Sequence, residues 1–140
     1  MAYFNSVLIV DDSEIDVLVN RRLMELTHFA SNIAVAGTGE EGLRYLQEEC
    51  ANAGNAPDYI FLDIHLPMMS GYDFMEAFKS LPSYITEKTK IIVLSVFQKP
   101  DHLRVLSQNA AVIGQVEKPL TQQVLKELGE THKLPASASF

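Results

Sequence analysis

A chain of 140 residues with 47% hydrophobic and 21% charged side chains fits one globular domain and leaves no room for a second. No apolar run approaches a membrane span, Met1-Ala2-Tyr3-Phe4-Asn5-Ser6 lacks the basic region of a signal peptide, and the lone Cys50 cannot close an internal disulfide, so a cytoplasmic protein is expected. The net charge of −7, with Arg21-Arg22 as the densest basic spot, argues against nucleic acid as a direct partner.

Ser6 to Val10 reads as a strand that runs into Asp11-Asp12. A helix follows from Glu14 to about Leu26, capped by Ser13 or Asp12, with Ile15, Val19, Leu23 and Leu26 at roughly helical spacing. On that phase Asp16, Val17, Asn20 and Arg21 lie on the side away from the core. Asn32 to Ala36 is a second strand. Thr38-Gly39-Glu40-Glu41 has the S/T-x-x-E form of a capping box and opens a helix to about Cys50. The polar stretch Ala51 to Pro57 is a loop before a third strand, Tyr59 to Asp63.

A third helix begins near Ser70, presents Tyr72, Phe74, Met75 and Phe78 on one broad face, and ends by Pro82. Lys90 to Val96 is the fourth strand, and Pro100 suits the first turn of a helix to about Asn109. Val112 to Val116 makes the fifth strand, and Thr121 caps a last helix to about Thr131. The domain is expected to fill residues 1–133, with 134–140 a flexible C-terminal tail.

Five strands alternating with five helices through short loops predict a doubly wound α/β fold with a parallel sheet covered on both faces. The flavodoxin-like order 2-1-3-4-5 opens a ligand crevice between strands 1 and 3. Asp11, Asp12 and Asp63 face that crevice on this topology, and the later strands end at Ser95 and just before Lys118. Three carboxylates held close together repel one another unless some protonate or a cation binds. All-oxygen ligation with few protein ligands suits Mg²⁺, and the scattered His28, His65, His102 and His132 offer no zinc-type set. Taken singly, Asp11-Asp12 reads as a helix cap, Ser95 as a satisfied strand-end hydroxyl and Lys118 as a solvated residue before proline; their joint placement at four strand ends favours a functional cluster.

The ordered set of Asp11-Asp12, Asp63 with Pro67 and Gly71, Ser95, and Lys118-Pro119 resembles the response-regulator receiver domain of two-component phosphorelays, over about Ser6 to Thr131. The resemblance implies that Asp63 accepts a phosphoryl group from a sensor histidine kinase, a histidine phosphotransfer protein or a small donor such as acetyl phosphate. It implies Mg²⁺ bound by Asp12, Asp63 and the backbone carbonyl of His65, with Asp11 acting through metal-bound water. Lys118 would balance charge on the phosphoryl oxygens and the Ser95 hydroxyl would move inward as the switch. The chemistry is self-catalysed phosphorylation and dephosphorylation of a phosphoacceptor, not an enzyme acting on others. Family behaviour places the readout on the face made by the helix near 100–109, strand 5 and the last helix, acting on a separate downstream protein target. It places docking of the histidine protein near helix 1.

Two positions depart from the family pattern. Gln115 stands three places before the lysine, where an aromatic residue usually couples to the switch hydroxyl, and Val96 follows that hydroxyl where a small residue is usual. Phe97 and His65 occupy places that border the phosphate in the family. A phosphorylation-independent interaction module with the same fold is the alternative, which the intact acidic trio disfavours. A phosphatase that forms an aspartyl phosphate is a further one. The haloacid-dehalogenase type has Asp where this chain has His65 and puts its nucleophile after the first strand.

Overall fold

The computed structural model describes residues 2–96 and 107–140. Five parallel strands, β1 (Phe4–Val10), β2 (Ala30–Ala36), β3 (Tyr59–Asp63), β4 (Lys90–Ser95) and β5 (Val112–Glu117), form one sheet in the order β2-β1-β3-β4-β5. The described helices are α1 (Glu14–Leu26), α2 (Gly39–Glu48), α3 (Gly71–Phe78), the single turn α4 (Ser83–Thr86) and α5 (Gln122–Thr131). The helix expected from Pro100 to about Asn109 lies largely outside the described residues, as does Phe97.

The helix starts follow from local chemistry. Ser13, Thr38, Ser70 and Thr121 each sit in extended backbone and accept the N–H three residues on. At Thr38 the expected capping box closes with a shift of one residue: Glu41 Oε2 accepts from the Gly37 N–H at 2.9 Å. Pro82, expected to end the third helix, instead precedes α4, whose first residue it introduces with a fixed φ of −55°.

Alternate residues of each strand point to opposite faces and build two cores. Leu8, Val10, Ile60, Leu62, Ile91 and Val93 pack with Leu46 of α2 and Phe74 and Phe78 of α3. Val7, Ile9, Phe61, Ile92 and Leu94 pack on the other face with Met24 of α1 and Leu125 and Leu128 of α5. β3 is buried along its whole length, as a central parallel strand must be.

Helix α1 is rotated from its expected phase. Its core side carries Val17, Asn20, Leu23 and Met24, so Asn20 is buried and Val17 is packed, while Ile15 and Leu18 are 75% and 69% exposed. Val19 and Leu26 are exposed as well. Apolar spacing alone favoured the wrong stripe because this helix has two apolar faces, one inside and one facing solvent.

Where a loose tail was expected, residues 134–140 return to the open edge of β5. Leu134 is buried, the Gln115 N–H donates to Ala138 O at 2.9 Å, and the Phe140 N–H donates to Ile113 O at 2.9 Å. Gly114 bridges Ser139 antiparallel, and a Cβ there would come within 2.2 Å of Ala138 O. An unpaired sheet edge is thereby covered. Gly114→Val is expected to detach the tail and to speed amide exchange at Gln115 by roughly 10-fold or more. Hydrogen exchange with mass readout checks this; unchanged protection of Gln115 would contradict it.

Candidate functional site

Strand register assembles the site. Val10 pairs with Leu62, so Asp11 and Asp63 leave neighbouring strands at the same level. Asp63 pairs with Leu94, and Ser95 pairs with Glu117, so Ser95 emerges one step and Lys118 two steps further along. The Asp11 N–H donates to Ala36 O at 3.1 Å and the Lys118 N–H donates to Ser95 O at 2.7 Å, tying the strand exits together.

The loop after β3 fixes the Asp63 carboxylate. The His65 N–H donates to Asp63 Oδ1 at 2.9 Å. The chain then returns on itself, with the Gly71 N–H on Ile64 O at 3.1 Å. A Cβ on residue 71 would lie 2.9 Å from Ile64 Cα, so glycine is what lets α3 start this close to the strand end. Met68, at the loop tip, takes a left-handed φ of 65° and is almost fully exposed.

Asp11, Asp12 and Asp63 each offer a carboxylate oxygen within 4.8 Å of the others. Asp11 and Asp63 are buried and Asp12 is exposed, so the group opens to solvent on one side. The Lys118 ammonium lies at 3.2 Å from Asp11 Oδ2 and 3.3 Å from Asp63 Oδ2. Its shortest contact, 2.9 Å, is to Asp16 Oδ2 in the first turn of α1. Asp16 was expected on the side of α1 opposite the core; the observed rotation of the helix turns it into the site. The signal that could have found it is the polar pair Asp16 and Asn20, one turn apart on the inward stripe with Met24.

Burial pushes the Asp11 carboxyl above its usual range, outweighing the Ser13 N–H and the nearby Lys118 charge. Keeping Asp11 ionised therefore costs stability at neutral pH, and a bound cation would relieve that cost. Burial alone would lower the Lys118 pKa, but the hydrogen bond to Asp16 and the charges of Asp63 and Asp11 overcome it and raise the ammonium's pKa. A lysine raised on folding contributes stability fully below its unfolded pKa of about 10.4 and loses it as pH rises through the folded value. The melting temperature of the wild type should therefore fall further than that of Lys118→Ala between neutral pH and pH values above about 10.4. The comparison is needed because half-buried Tyr45 and buried Tyr59, also raised by burial, destabilise both proteins on ionising. Equal falls in thermal melts of the two proteins would contradict the assignment.

The donor set is all oxygen, negatively charged and open on one side, which fits a hard divalent cation that keeps part of its water shell. Ser95 is buried at the end of β4, and Val96 beside it is exposed. Gln115 is buried in β5. A cleft of about 340 Å³ adjoins the cluster, lined by Asp16, Val19, Asn20, Val96, Lys118 and Pro119 among others. Among the described residues no helix is long and apolar enough to cross a membrane.

Residues 7–129 match the model of the response regulator receiver domain. The chain is 26% identical over 129 residues to the "Probable C4-dicarboxylate response regulator DctR" of Bacillus subtilis, covering 91% of this chain and 51% of that protein. It is 30% identical over 125 residues to the autoinducer 1 sensor kinase/phosphatase LuxN of Vibrio campbellii, covering 88% of this chain and 13% of that one. It thus spans about half the length of the first relative and a small part of the second. Among solved structures, a two component response regulator from Cytophaga hutchinsonii superposes with a TM-score of 0.81 at 28% identity, covering 89% of this chain and 92% of that one. A receiver domain from Clostridium thermocellum gives 0.69 at 25% identity, over 89% of this chain and 90% of that one. With five parallel strands in the order β2-β1-β3-β4-β5 and an acidic cluster at their C-terminal ends, the chain belongs to the response regulator receiver domain family.

Proposed function

We propose that this receiver domain accepts a phosphoryl group on Asp63. The observation that carries the reading is the convergence of Asp11, Asp12, Asp63 and Lys118 at the ends of three strands, with Asp63 buried and held at both oxygens. A carboxylate oxygen of Asp63 attacks phosphorus in line. The bond from phosphorus to the donor's imidazole nitrogen, or to the carboxyl oxygen of acetyl phosphate, breaks and the donor leaves with its electron pair. Asp11, Asp12, Asp63 and the His65 carbonyl would hold Mg²⁺, which supplies charge neutralisation for the phosphoryl oxygens. Lys118 balances the remaining charge from the β5 side, and the buried Ser95 hydroxyl, next to the acceptor along β4, responds to the acyl phosphate.

The donor is a histidine kinase or a histidine phosphotransfer protein. The exposed stripe of α1, with Ile15, Leu18, Val19 and Leu26, gives such a partner an apolar contact beside the site, and Val96 extends it across the cleft. The receiver domain, with residues 134–140 closing its β5 edge, is the signalling unit, and a separate protein receives the signal. A second reading, a phosphorylation-independent module, draws on buried Gln115 at the place of the usual aromatic coupler.

Incubation of the protein with acetyl phosphate and Mg²⁺, followed by intact mass measurement, decides between them. One added phosphoryl group that requires Mg²⁺ is expected. A folded protein that gains none, from acetyl phosphate or from a phosphorylated histidine donor, would overturn the proposal in favour of the module.

A further inference from the structure

The two buried carboxylates have one oxygen each already engaged by their own backbone. Asp11 Oδ1 accepts from the Ser13 N–H at 2.9 Å and Asp63 Oδ1 from the His65 N–H at 2.9 Å. The other oxygens, Asp11 Oδ2 and Asp63 Oδ2, are the ones Lys118 holds. A divalent cation that takes these two oxygens displaces the Lys118 ammonium from them. An ammonium has three N–H donors, and here three carboxylates take them. Only the Asp16 contact lies outside the metal cluster, and it is the shortest of the three. Asp16 is also the most exposed of those partners, with 42% of its side chain accessible, so it stays reachable when the inner oxygens are taken.

We infer that Asp16 is a positioning residue that retains Lys118 when Mg²⁺ occupies the Asp11, Asp12 and Asp63 oxygens. The inference rests on the reading that this trio binds Mg²⁺. Without Asp16, the described ion-pair partners left to the ammonium in this half-buried site are Asp11 and Asp63, so it stays on them and opposes the metal. With Asp16 present, displacement costs only part of its contacts. The side chain also links the metal site to the first turn of α1, the helix whose exposed apolar stripe adjoins it.

A double-mutant cycle on the whole chain tests this, with Mg²⁺ affinity from calorimetric titration and thermal melts to establish that each variant is folded. Asp16→Asn is expected to weaken Mg²⁺ binding by roughly three- to tenfold, because the ammonium loses its alternative partner. Lys118→Ala is expected to tighten it, because the competitor is gone. In the Lys118→Ala background, Asp16→Asn should then have less than about half its effect on log affinity. Asp16→Glu should restore part of the wild-type affinity.

An equal loss from Asp16→Asn in both backgrounds would reduce Asp16 to one more negative charge near the metal and overturn the inference. So would unchanged or tighter Mg²⁺ binding by Asp16→Asn alone. If the wild type itself binds no Mg²⁺, the metal-site reading fails and takes this inference with it; if the wild type binds and the cycle shows no coupling, only the role of Asp16 fails.

Discussion

Asp63→Asn is expected to reduce Mg²⁺-dependent incorporation of phosphate from acetyl phosphate to background, a loss of roughly 100-fold or more in labelling rate. The substitution keeps the shape of the side chain, and an amide oxygen can still accept the His65 N–H that holds Asp63 at 2.9 Å. What it removes is the anionic oxygen that attacks phosphorus and one of the three carboxylates that gather a cation. No neighbour can substitute. Asp11 sits at the end of a different strand with Oδ1 tied to Ser13, and Asp12 is exposed at the rim. Fold should be retained, because removing one negative charge from the cluster lowers its internal repulsion. Labelling of Asp63→Asn at a rate near that of the wild type, followed by intact mass, would move the acceptor elsewhere.

The second large effect is on stability rather than chemistry. Lys118→Ala takes the only cation in contact with Asp11, Asp16 and Asp63 among the described ion pairs. Breaking a fully buried pair from one side typically costs 3–5 kcal/mol. Here the lysine side chain is 15% accessible and Asp16 is more open still, so water softens the loss to about 2 kcal/mol. Mg²⁺ should restore it, since a ligand at 100 times its dissociation constant stabilises by about 2.7 kcal/mol. Urea unfolding with and without Mg²⁺ measures both quantities. A variant as stable as the wild type without Mg²⁺ would mean that the carboxylates are not relying on Lys118.

Much of the architecture was legible in the sequence because local and global signals agreed. β3 coincides with its expected span, Tyr59 to Asp63, since a short run buried on both faces has no competing period. The caps at Thr38 and Thr121, and Ser13 as one of two candidates with Asp12, were readable from side-chain chemistry that acts within three residues. The chain ends of β1 and β3 placed Asp11 and Asp63 together once the strand order was inferred.

The misses have physical causes. Helix α1 carries enough apolar residues for two stripes, so periodicity could not choose the inward one, and Asp16 was read on the wrong side. The inward stripe carries Val17, Asn20, Leu23 and Met24 and brings Asp16 to Lys118, a contact that joins residues 102 positions apart. The tail of small residues carries no strand pattern of its own; it finds one only because Gly114 leaves room on β5 for Ala138 O. Pro82 stands four residues beyond the end of α3 and starts the next turn, a role that its fixed φ permits as readily as stopping a helix.

The residue that carries the phosphoryl group can be read out chemically. An acyl phosphate is reduced by borohydride to an alcohol, so phosphorylation with acetyl phosphate and Mg²⁺, borohydride treatment and peptide sequencing by mass spectrometry would read the acceptor out as homoserine. Conversion at residue 63, dependent on Mg²⁺ and on prior phosphorylation, is the predicted result. Conversion at Asp11, Asp12 or Asp16 in place of Asp63, or a stable phosphoryl group on a residue that borohydride leaves untouched, would contradict it.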